Sequence, residues 1–287
     1  MTGILNLDKP AGWTSHDAVA KLRRILGERR IGHGGTLDPM ATGVLPVFVG
    51  RATRAVEFLE AADKEYEAGL RLGIVTDTQD TTGQILEERP VSITEEELRT
   101  AILALRGERD QLPPMYSAVK VGGKALYAYA RAGKAVERKL RHITIHLSEP
   151  LGWVGEEYRF RIVCSKGTYI RTLCHDIGQA LGCGGCMAEL TRTRAGTYTL
   201  AQSHTMEEIL AAPDPEALLL PTDSLFSDRP ALTVSEAAEK KLRNGAAVST
   251  LNALDGEYRV YSQSGKFVAL CAVANGELTT VKSFFEV

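Results

Sequence analysis

Apolar residues recur in this chain with two different periods, and the mixture limits the folds that it can adopt. In residues 143–147 and 158–164 every second residue is apolar, which is typical of a strand with one buried face. In residues 18–26 and 170–181 the apolar side chains recur three or four positions apart, as along one side of a helix. The sequence therefore predicts a mixed α+β fold.

Capping and turn residues indicate where further elements begin and end. Ser15 is predicted to cap a helix that stops at Gly27. Thr94 and Glu97 have the spacing of a capping box, which predicts a helix that ends near Gly107. Further strands are predicted at residues 4–7, 44–49, 66–72 and 116–121, the last followed by a glycine-pair turn. After the proline-spaced residues 213–230, a short helix (235–243) and three short strands predict a second, small, β-rich domain.

The overall charge is nearly balanced, but its distribution is uneven. The chain has 34 basic and 36 acidic residues, a composition that argues against a surface that binds nucleic acid throughout. Residues 21–30 and 131–141 nevertheless each contain five basic residues and one acidic residue. These two stretches either line one groove for an anionic partner or form ordinary solvated faces, and the sequence leaves both possibilities open.

Cysteine usage and hydropathy predict a cytoplasmic protein. Five cysteines, an odd number, fit a reduced compartment better than a disulfide framework. The N-terminal residues lack the pattern of a signal peptide, and no apolar stretch approaches the ~20 residues of a membrane span.

The cysteines also suggest an alternative function as a zinc or redox protein. Cys183 and Cys186 form a C-x-x-C element, and Cys174 and His175 lie shortly before it. A structural zinc site would require a second clear pair, and a thioredoxin-like site would begin a helix rather than follow one. We therefore predict no metal site.

A glycine-dense loop provides the candidate for catalysis. Asp38 stands between Leu37 and Pro39 in a segment, residues 32–43, that contains four glycines. Glycine allows a backbone to approach a ligand closely, yet aspartate before proline is also a common turn former. Asp38 alone therefore does not establish an active site.

Five motifs in one order decide between these alternatives. Together they closely resemble the bacterial TruB family, the tRNA pseudouridine-55 synthases, over residues 3–223. They are LNLDKP at 5–10, GHGGTLDPMATG at 32–43, KEY at 64–66, PMYSAVK at 114–120 and SKGTYIRT at 165–172.

The resemblance implies both an architecture and a reaction. The expected fold is α+β, with a mixed, mainly antiparallel sheet in a catalytic domain of pseudouridine-synthase type at residues 1–228. The domain at residues 229–287 lies beyond the resemblance, and its position and β-rich pattern predict a PUA-like, RNA-binding domain. The implied reaction converts uridine 55 in the T loop of tRNA to pseudouridine after the base has been flipped out. It requires no cofactor. The expected enzyme is a monomer that acts on tRNA without a membrane or an obligatory protein partner.

The resemblance also assigns roles to six residues. Asp38 matches the catalytic carboxylate, and Arg171 matches the partner that would keep it ionised in a dry pocket. Whether Asp38 attacks the sugar, attacks the base or removes a sugar proton stays open. Tyr66 is the expected stacking platform and a candidate acceptor for the C5 proton. The remaining substrate-binding residues are His33, which would fill the space vacated by the base, and Tyr169 and Leu190, which would shape the pocket.

One position departs from the family pattern, and one alternative function remains. The family often has threonine after the loop histidine, where this chain has Gly34, so this chain lacks the hydroxyl with which that threonine would form a hydrogen bond. The alternative is an RNA-binding or tRNA-folding module without catalysis. Under that hypothesis Asp38 would be dispensable, and neutralising basic residues such as Arg23, Arg24 and Arg138 would weaken RNA binding.

Overall fold

The computed structural model describes residues 1–250 and 253–285, and its main feature is a large, mostly antiparallel sheet. Nine strands form it: β1 (Gly3–Lys9), β2 (Ile31–His33), β3 (Thr42–Val49), β4 (Lys64–Leu72), β7 (Gly107–Gln111), β10 (Arg141–Val154), β11 (Glu157–Cys164), β12 (Gly185–Ala195) and β13 (Tyr198–Thr199). Their order is β1-β3-β12-β4-β11-β10-β7, with β2 beside β3 and β13 beside β12. The one parallel pairing among these strands joins β3 to β12.

Two short hairpins and a second sheet complete the β structure. The hairpins are β5 (Ile74–Thr76) with β6 (Ile85–Glu88) and β8 (Lys120–Val121) with β9 (Lys124–Ala125). The second sheet has the order β14-β16-β17-β18-β15, formed by β14 (Ala231–Thr233), β15 (Val248–Ser249), β16 (Gly256–Tyr261), β17 (Phe267–Ala274) and β18 (Glu277–Ser283). The predicted α+β fold class is confirmed. The exact boundary at residue 228 stays a prediction.

Seven α-helices are described, and they accompany the sheets. They are α1 (Ser15–Leu26), α2 (Val56–Ala61), α3 (Glu95–Leu103), α4 (Leu126–Ala130), α5 (Ile170–Ala180), α6 (Met206–Ala211) and α7 (Glu236–Arg243). The apolar sides of α1, α3 and α5 pack against the main sheet in one continuous core. The helical periodicity predicted the buried sides of α1 and α5, where Leu22 and Leu173 are completely buried. Helix α3, which was predicted from its capping box alone, buries Ile102. Among the described residues, no helix is both long and apolar enough to cross a membrane.

The predicted start of the first helix is wrong by one residue, for a reason that bears on the active site. Thr14, not Ser15, is the N-cap, and it forms a capping box with Asp17. The buried Ser15 hydroxyl instead accepts a hydrogen bond from the backbone N–H of Leu37 at 2.9 Å. Ser15 therefore ties α1 to the loop that contains Asp38.

Two other predicted boundaries also differ from the structure. The helix opened by Thr94 ends at Leu103, because the chain must turn to enter β7 at Gly107. The strand predicted at residues 116–121 shrinks to Lys120–Val121. The residues before Lys120 contact the side chain of Arg171 instead of pairing in a strand, since the carbonyl of Tyr116 accepts a hydrogen bond from Arg171.

Aromatic side chains pack the second sheet against the part of the chain that carries the main sheet. Phe226 lies 5.2 Å from Phe58, edge to face, and 6.0 Å from Phe284, measured between ring centroids. Phe284 in turn stacks on Phe267 of β17 at 5.2 Å. The Tyr261 hydroxyl donates a hydrogen bond to the Asp223 carboxylate at 2.5 Å. The two parts of the chain thus share a buried apolar contact as well as polar ones.

Gly34 is buried at a place with no space for a larger residue. A Cβ atom there would collide with the side chain of Leu59 and lie 3.0 Å from Phe48. We therefore expect Gly34→Ala to destabilise the fold by about 1–3 kcal/mol through overpacking. Gly32→Ala is the matched control, because its Cβ would first meet Val56 at 4.0 Å. Thermal unfolding should distinguish the two variants, and equal melting temperatures would contradict this packing explanation.

Candidate active site

Asp38 lies in the loop between β2 and β3, and several contacts fix the shape of this loop. Ser15 holds Leu37 through its hydroxyl, and the Pro39 carbonyl accepts a hydrogen bond from the Gly12 N–H at 2.8 Å. Where the loop rejoins the sheet, Gly43 has a φ of 96°, and a Cβ there would collide with the backbone of β12. Glycine at position 43 therefore allows β3 to approach β12 closely, at the end of the loop that contains Asp38.

Asp38 forms an ion pair with Arg171 at the start of α5. The Arg171 Nε lies 2.9 Å from Asp38 Oδ2, and Nη2 donates a hydrogen bond to Oδ1 at 3.1 Å. The Arg171 side chain is only 6% exposed, whereas that of Asp38 is 34% exposed. Two backbone carbonyls fix the guanidinium further, since Tyr116 and Thr78 accept hydrogen bonds from it at 2.8 and 3.0 Å. Arg171 therefore fixes the position of the Asp38 carboxylate, and part of the Asp38 side chain remains exposed.

A second carboxylate, Asp80, stands on the other side of Arg171 and is not among the residues predicted from the sequence. Its Oδ2 lies 3.5 Å from Arg171 Nη1, and its side chain is buried. Asp80 Oδ1 accepts hydrogen bonds from the Thr78 hydroxyl at 2.8 Å and the Thr82 N–H at 3.0 Å. Arg171 thus bridges two carboxylates, and the order is Asp38–Arg171–Asp80.

Burial raises the pKa of Asp38 above its ordinary value. The charge of Arg171 counteracts this rise, whereas the negative charge of Asp80 adds to it. If the carboxylate is the reactive form, the rate must fall as pH falls through this pKa. Because the pKa is raised, that loss begins at a higher pH than it would for an ordinary aspartate.

Asp80→Asn should have two separable effects. Removal of one charged partner of Arg171 is expected to slow single-turnover product formation by about 10–100-fold, with substrate affinity unchanged. Removal of the negative charge lowers the pKa of Asp38, so the acid limb of the pH–rate profile should move to lower pH. Rates measured across the acid range in both enzymes test this. An acid limb that stays in place or moves to higher pH would contradict the proposed coupling.

The ion pair lies at a cavity of about 1020 Å³. Of the six predicted site residues, five line it: Asp38, Tyr66, Tyr169, Arg171 and Leu190. His33 does not line the cavity. It lies on β2, and its Nδ1 is buried without a hydrogen-bond partner in the described part of the chain. Burial lowers the pKa of His33, which favours the neutral ring.

Three buried cations near the cavity are also absent from the predicted site residues. Lys9 donates hydrogen bonds to backbone carbonyls that include Pro39 O at 3.3 Å, and Lys64 donates to three carbonyls at the end of α2. Burial lowers the pKa of each lysine to about 8. Arg192 on β12 lines the cavity and is only 1% exposed. Lys9 and Lys64 belong to the recognised motifs, so a signal for them was present in the sequence.

The cysteines do not form a metal site in the described residues. All five are free and buried, and no group of three or more histidine, cysteine or acidic side chains there could hold an ion. Burial raises the pKa of both Cys183 and Cys186, which favours protonated, unreactive thiols.

Two family models match most of this chain. Residues 23–170 match the TruB family pseudouridylate synthase N-terminal domain, and residues 171–227 match the tRNA pseudouridylate synthase B C-terminal domain. The chain belongs to the TruB family. The resemblance identified from the five motifs is confirmed, and so is the prediction of a pseudouridine synthase over that of a non-catalytic RNA-binding module.

Individual relatives and solved structures agree with this assignment. The chain is 44% identical to tRNA pseudouridine synthase B of Azoarcus sp. (strain BH72), over 96% of this chain and 92% of the relative. It is also 44% identical to the protein of the same name from Geobacillus thermodenitrificans (strain NG80-2), over 94% of each chain. A chain in the crystal structure of a Cbf5-Nop10-Gar1 complex is 28% identical, with a TM-score of 0.74 over 99% of this TruB-family chain and 85% of that one.

Proposed function

We propose that this TruB-family enzyme converts uridine 55 in the T loop of tRNA to pseudouridine, with Asp38 as the catalytic residue. The observation that supports the proposal most strongly is the Asp38–Arg171 ion pair, which faces a cavity large enough for a nucleoside. The names of the relatives support tRNA as the substrate.

The cavity lining favours a base that has left its stack. A uracil inside a folded T arm cannot reach Asp38, so it must be flipped out at a cost of a few kcal/mol. Stacking on an aromatic ring such as Tyr66 would recover about 1–3 kcal/mol. Tyr169 and Leu190 would enclose the flipped nucleotide, and His33, which lies outside the cavity, would instead occupy the space left in the RNA.

The reaction rearranges bonds within the substrate. The C1′–N1 bond breaks, C1′ joins C5, the C5 hydrogen leaves as a proton, and N1 gains a proton. Every atom of the product comes from the substrate and water, so the reaction needs no cofactor. Asp38 would react through its carboxylate with the sugar or the base, or as a base toward a sugar proton. Tyr66 would accept the C5 proton.

The basic segment at residues 122–141 is proposed to grip the T arm. Arg131 lines the cavity and packs over the Tyr127 ring at 5.4 Å, so this segment borders the site directly. Side chains cannot read the deep groove of A-form RNA, so recognition of the arm would depend on backbone shape and splayed bases.

Replacing Lys124, Lys134 and Lys139 by alanine should weaken tRNA binding and flatten its salt dependence. The slope of log affinity against log salt should decrease by about 0.7–0.9 for each phosphate that the variant no longer neutralises. An isolated T-arm hairpin should show the same decrease as whole tRNA, because the proposed contact is with the arm. A decrease seen only with whole tRNA would place the contact elsewhere.

We further propose that residues 229–287 contact the acceptor end of tRNA, and that the enzyme acts in the cytoplasm as a monomer without an obligatory protein partner. Removing these residues would expose the aromatic cluster around Phe226. Surface substitutions such as Lys240→Ala and Lys241→Ala therefore test the contact better than truncation does. They should weaken binding of whole tRNA and leave binding of a T-arm hairpin unchanged.

The direct test of the proposed function is to incubate the enzyme with unmodified tRNA transcript and map pseudouridine by position. One pseudouridine at position 55 is expected. A transcript with cytidine at position 55 should remain unmodified throughout. Modification of another uridine in either transcript would overturn the proposed specificity.

A further inference from the structure

Arg192 is a buried cation beside the proposed stacking residue, and none of the chemical steps proposed for Asp38 uses it. In the register of β12 and β4, Arg192 stands directly opposite Tyr66. Directly opposite residues of an antiparallel pair project from the same face of the sheet with Cβ atoms about 4.5–5.5 Å apart. Both side chains line the cavity.

The Arg192 side chain also contacts the chain on both sides of the loop that contains Asp38. Its Nε donates a hydrogen bond to the Val44 carbonyl at 2.7 Å, and Nη2 donates to the Gly35 carbonyl at 3.1 Å. These carbonyls lie on either side of Asp38 in the chain. These contacts hold the guanidinium in one position against the loop.

No carboxylate in the described part of the chain neutralises this guanidinium. Within residues 1–250 and 253–285, Arg192 makes no ion pair with an acidic side chain, although buried charges are usually paired. Its charge therefore acts on the neighbouring titratable groups, and it disfavours the protonated forms of Lys9, Lys64 and His33. Burial raises the pKa of Tyr66, and the positive charge of Arg192 opposes that rise.

We propose that Arg192 is a positioning residue for the last chemical step, because it orients the Tyr66 hydroxyl and stabilises the phenolate that accepts the C5 proton. This inference rests on the proposed function. In the step itself the C5–H bond breaks and its electron pair restores the C5–C6 double bond of the uracil ring, while the proton passes to Tyr66. The electron pair of the C6–N1 double bond moves to N1, which takes up a proton from water. The proton then leaves to water, and Tyr66 is regenerated.

The test compares tRNA transcripts with protium or deuterium at C5 of uridine 55, under single-turnover conditions. Arg192→Lys is expected to slow pseudouridine formation about tenfold or more. It should also make the protium-to-deuterium rate ratio larger than in the unsubstituted enzyme, because C5–H cleavage becomes rate-limiting. Arg194→Lys is the matched control: Arg194 lies on the same strand, pairs with Glu65 and is not part of the cavity lining.

Tyr66→Phe provides a second, independent variant that removes the hydroxyl but keeps the ring. It should also increase the isotope ratio, and adding Arg192→Lys to it should not increase the ratio further. An unchanged ratio in Tyr66→Phe would overturn the inference, even if Arg192→Lys failed to fold. A slow Arg192→Lys enzyme with an unchanged ratio would overturn it too. If the unsubstituted enzyme formed no pseudouridine at position 55, the proposed function itself would fail.

Discussion

Asp38→Asn is expected to abolish pseudouridine formation, with a loss in single-turnover rate of about 10⁴-fold or more. Asparagine keeps the shape of the side chain and its contact with Arg171, but it has neither the charge nor the basicity of a carboxylate. Affinity for tRNA should change by less than about threefold, because phosphate contacts outside the cavity dominate binding. Rapid-quench measurements and filter binding give the two quantities separately.

Asp255→Asn is a suitable control for this substitution. Asp255 is exposed in the bend before β16, where its carboxylate accepts a hydrogen bond from the Asn275 N–H that an asparagine oxygen could also accept. Its activity should equal that of the unsubstituted enzyme. If Asp38→Asn kept more than a trace of activity, the carboxylate would not be the reacting group.

Arg171→Lys is expected to have the second largest effect, a rate loss of about 10²–10³-fold with tRNA affinity retained. Lysine keeps the positive charge, but it cannot contact Asp38 through two nitrogens while it also donates to Thr78 and Tyr116. The carboxylate would then lose its fixed orientation, and its buried charge would be less well compensated. When Arg171→Lys is present, adding Asp80→Asn should slow the reaction no further, because Arg171 connects the two acids.

Arg161→Lys is the matched control, since Arg161 pairs with Glu149 at 2.6 Å in a partly exposed position on β11. That variant should keep its activity, because exposed ion pairs contribute little. A similar rate for Arg171→Lys and the unsubstituted enzyme would show that charge alone suffices. If tRNA affinity and rate fell together, Arg171 would instead be a residue that binds the substrate and not one that positions Asp38.

The sequence predicted those parts of the fold in which local pattern and tertiary environment agree. The alternating segment at residues 158–164 became β11, and the helix at α5 ends where the apolar periodicity ends. Ser15 and residues 116–121 were predicted less well, because in both places the chain makes a contact with the active site that its local pattern does not encode. Tertiary contacts there override local propensity.

The same distinction applies to the site. Asp38 and Arg171 are 133 positions apart, and only the family resemblance could indicate that they meet. Asp80 has a weaker local signal, a dense run of threonine and aspartate after a short strand, which resembles an ordinary polar turn. Arg192 has none, because its position depends on the parallel pairing of β12 with β3 and its antiparallel pairing with β4. Long-range strand register cannot be obtained from local periodicity.

The most direct test of the central claim is a parallel reaction of the unsubstituted enzyme and the Asp38→Asn variant with the same unmodified transcript, followed by mapping of pseudouridine at every uridine. We predict complete conversion at position 55 by the first protein and none by the second, with both proteins bound to the RNA. Equal conversion by the two proteins, or conversion only at a different uridine, would contradict the proposed role of Asp38.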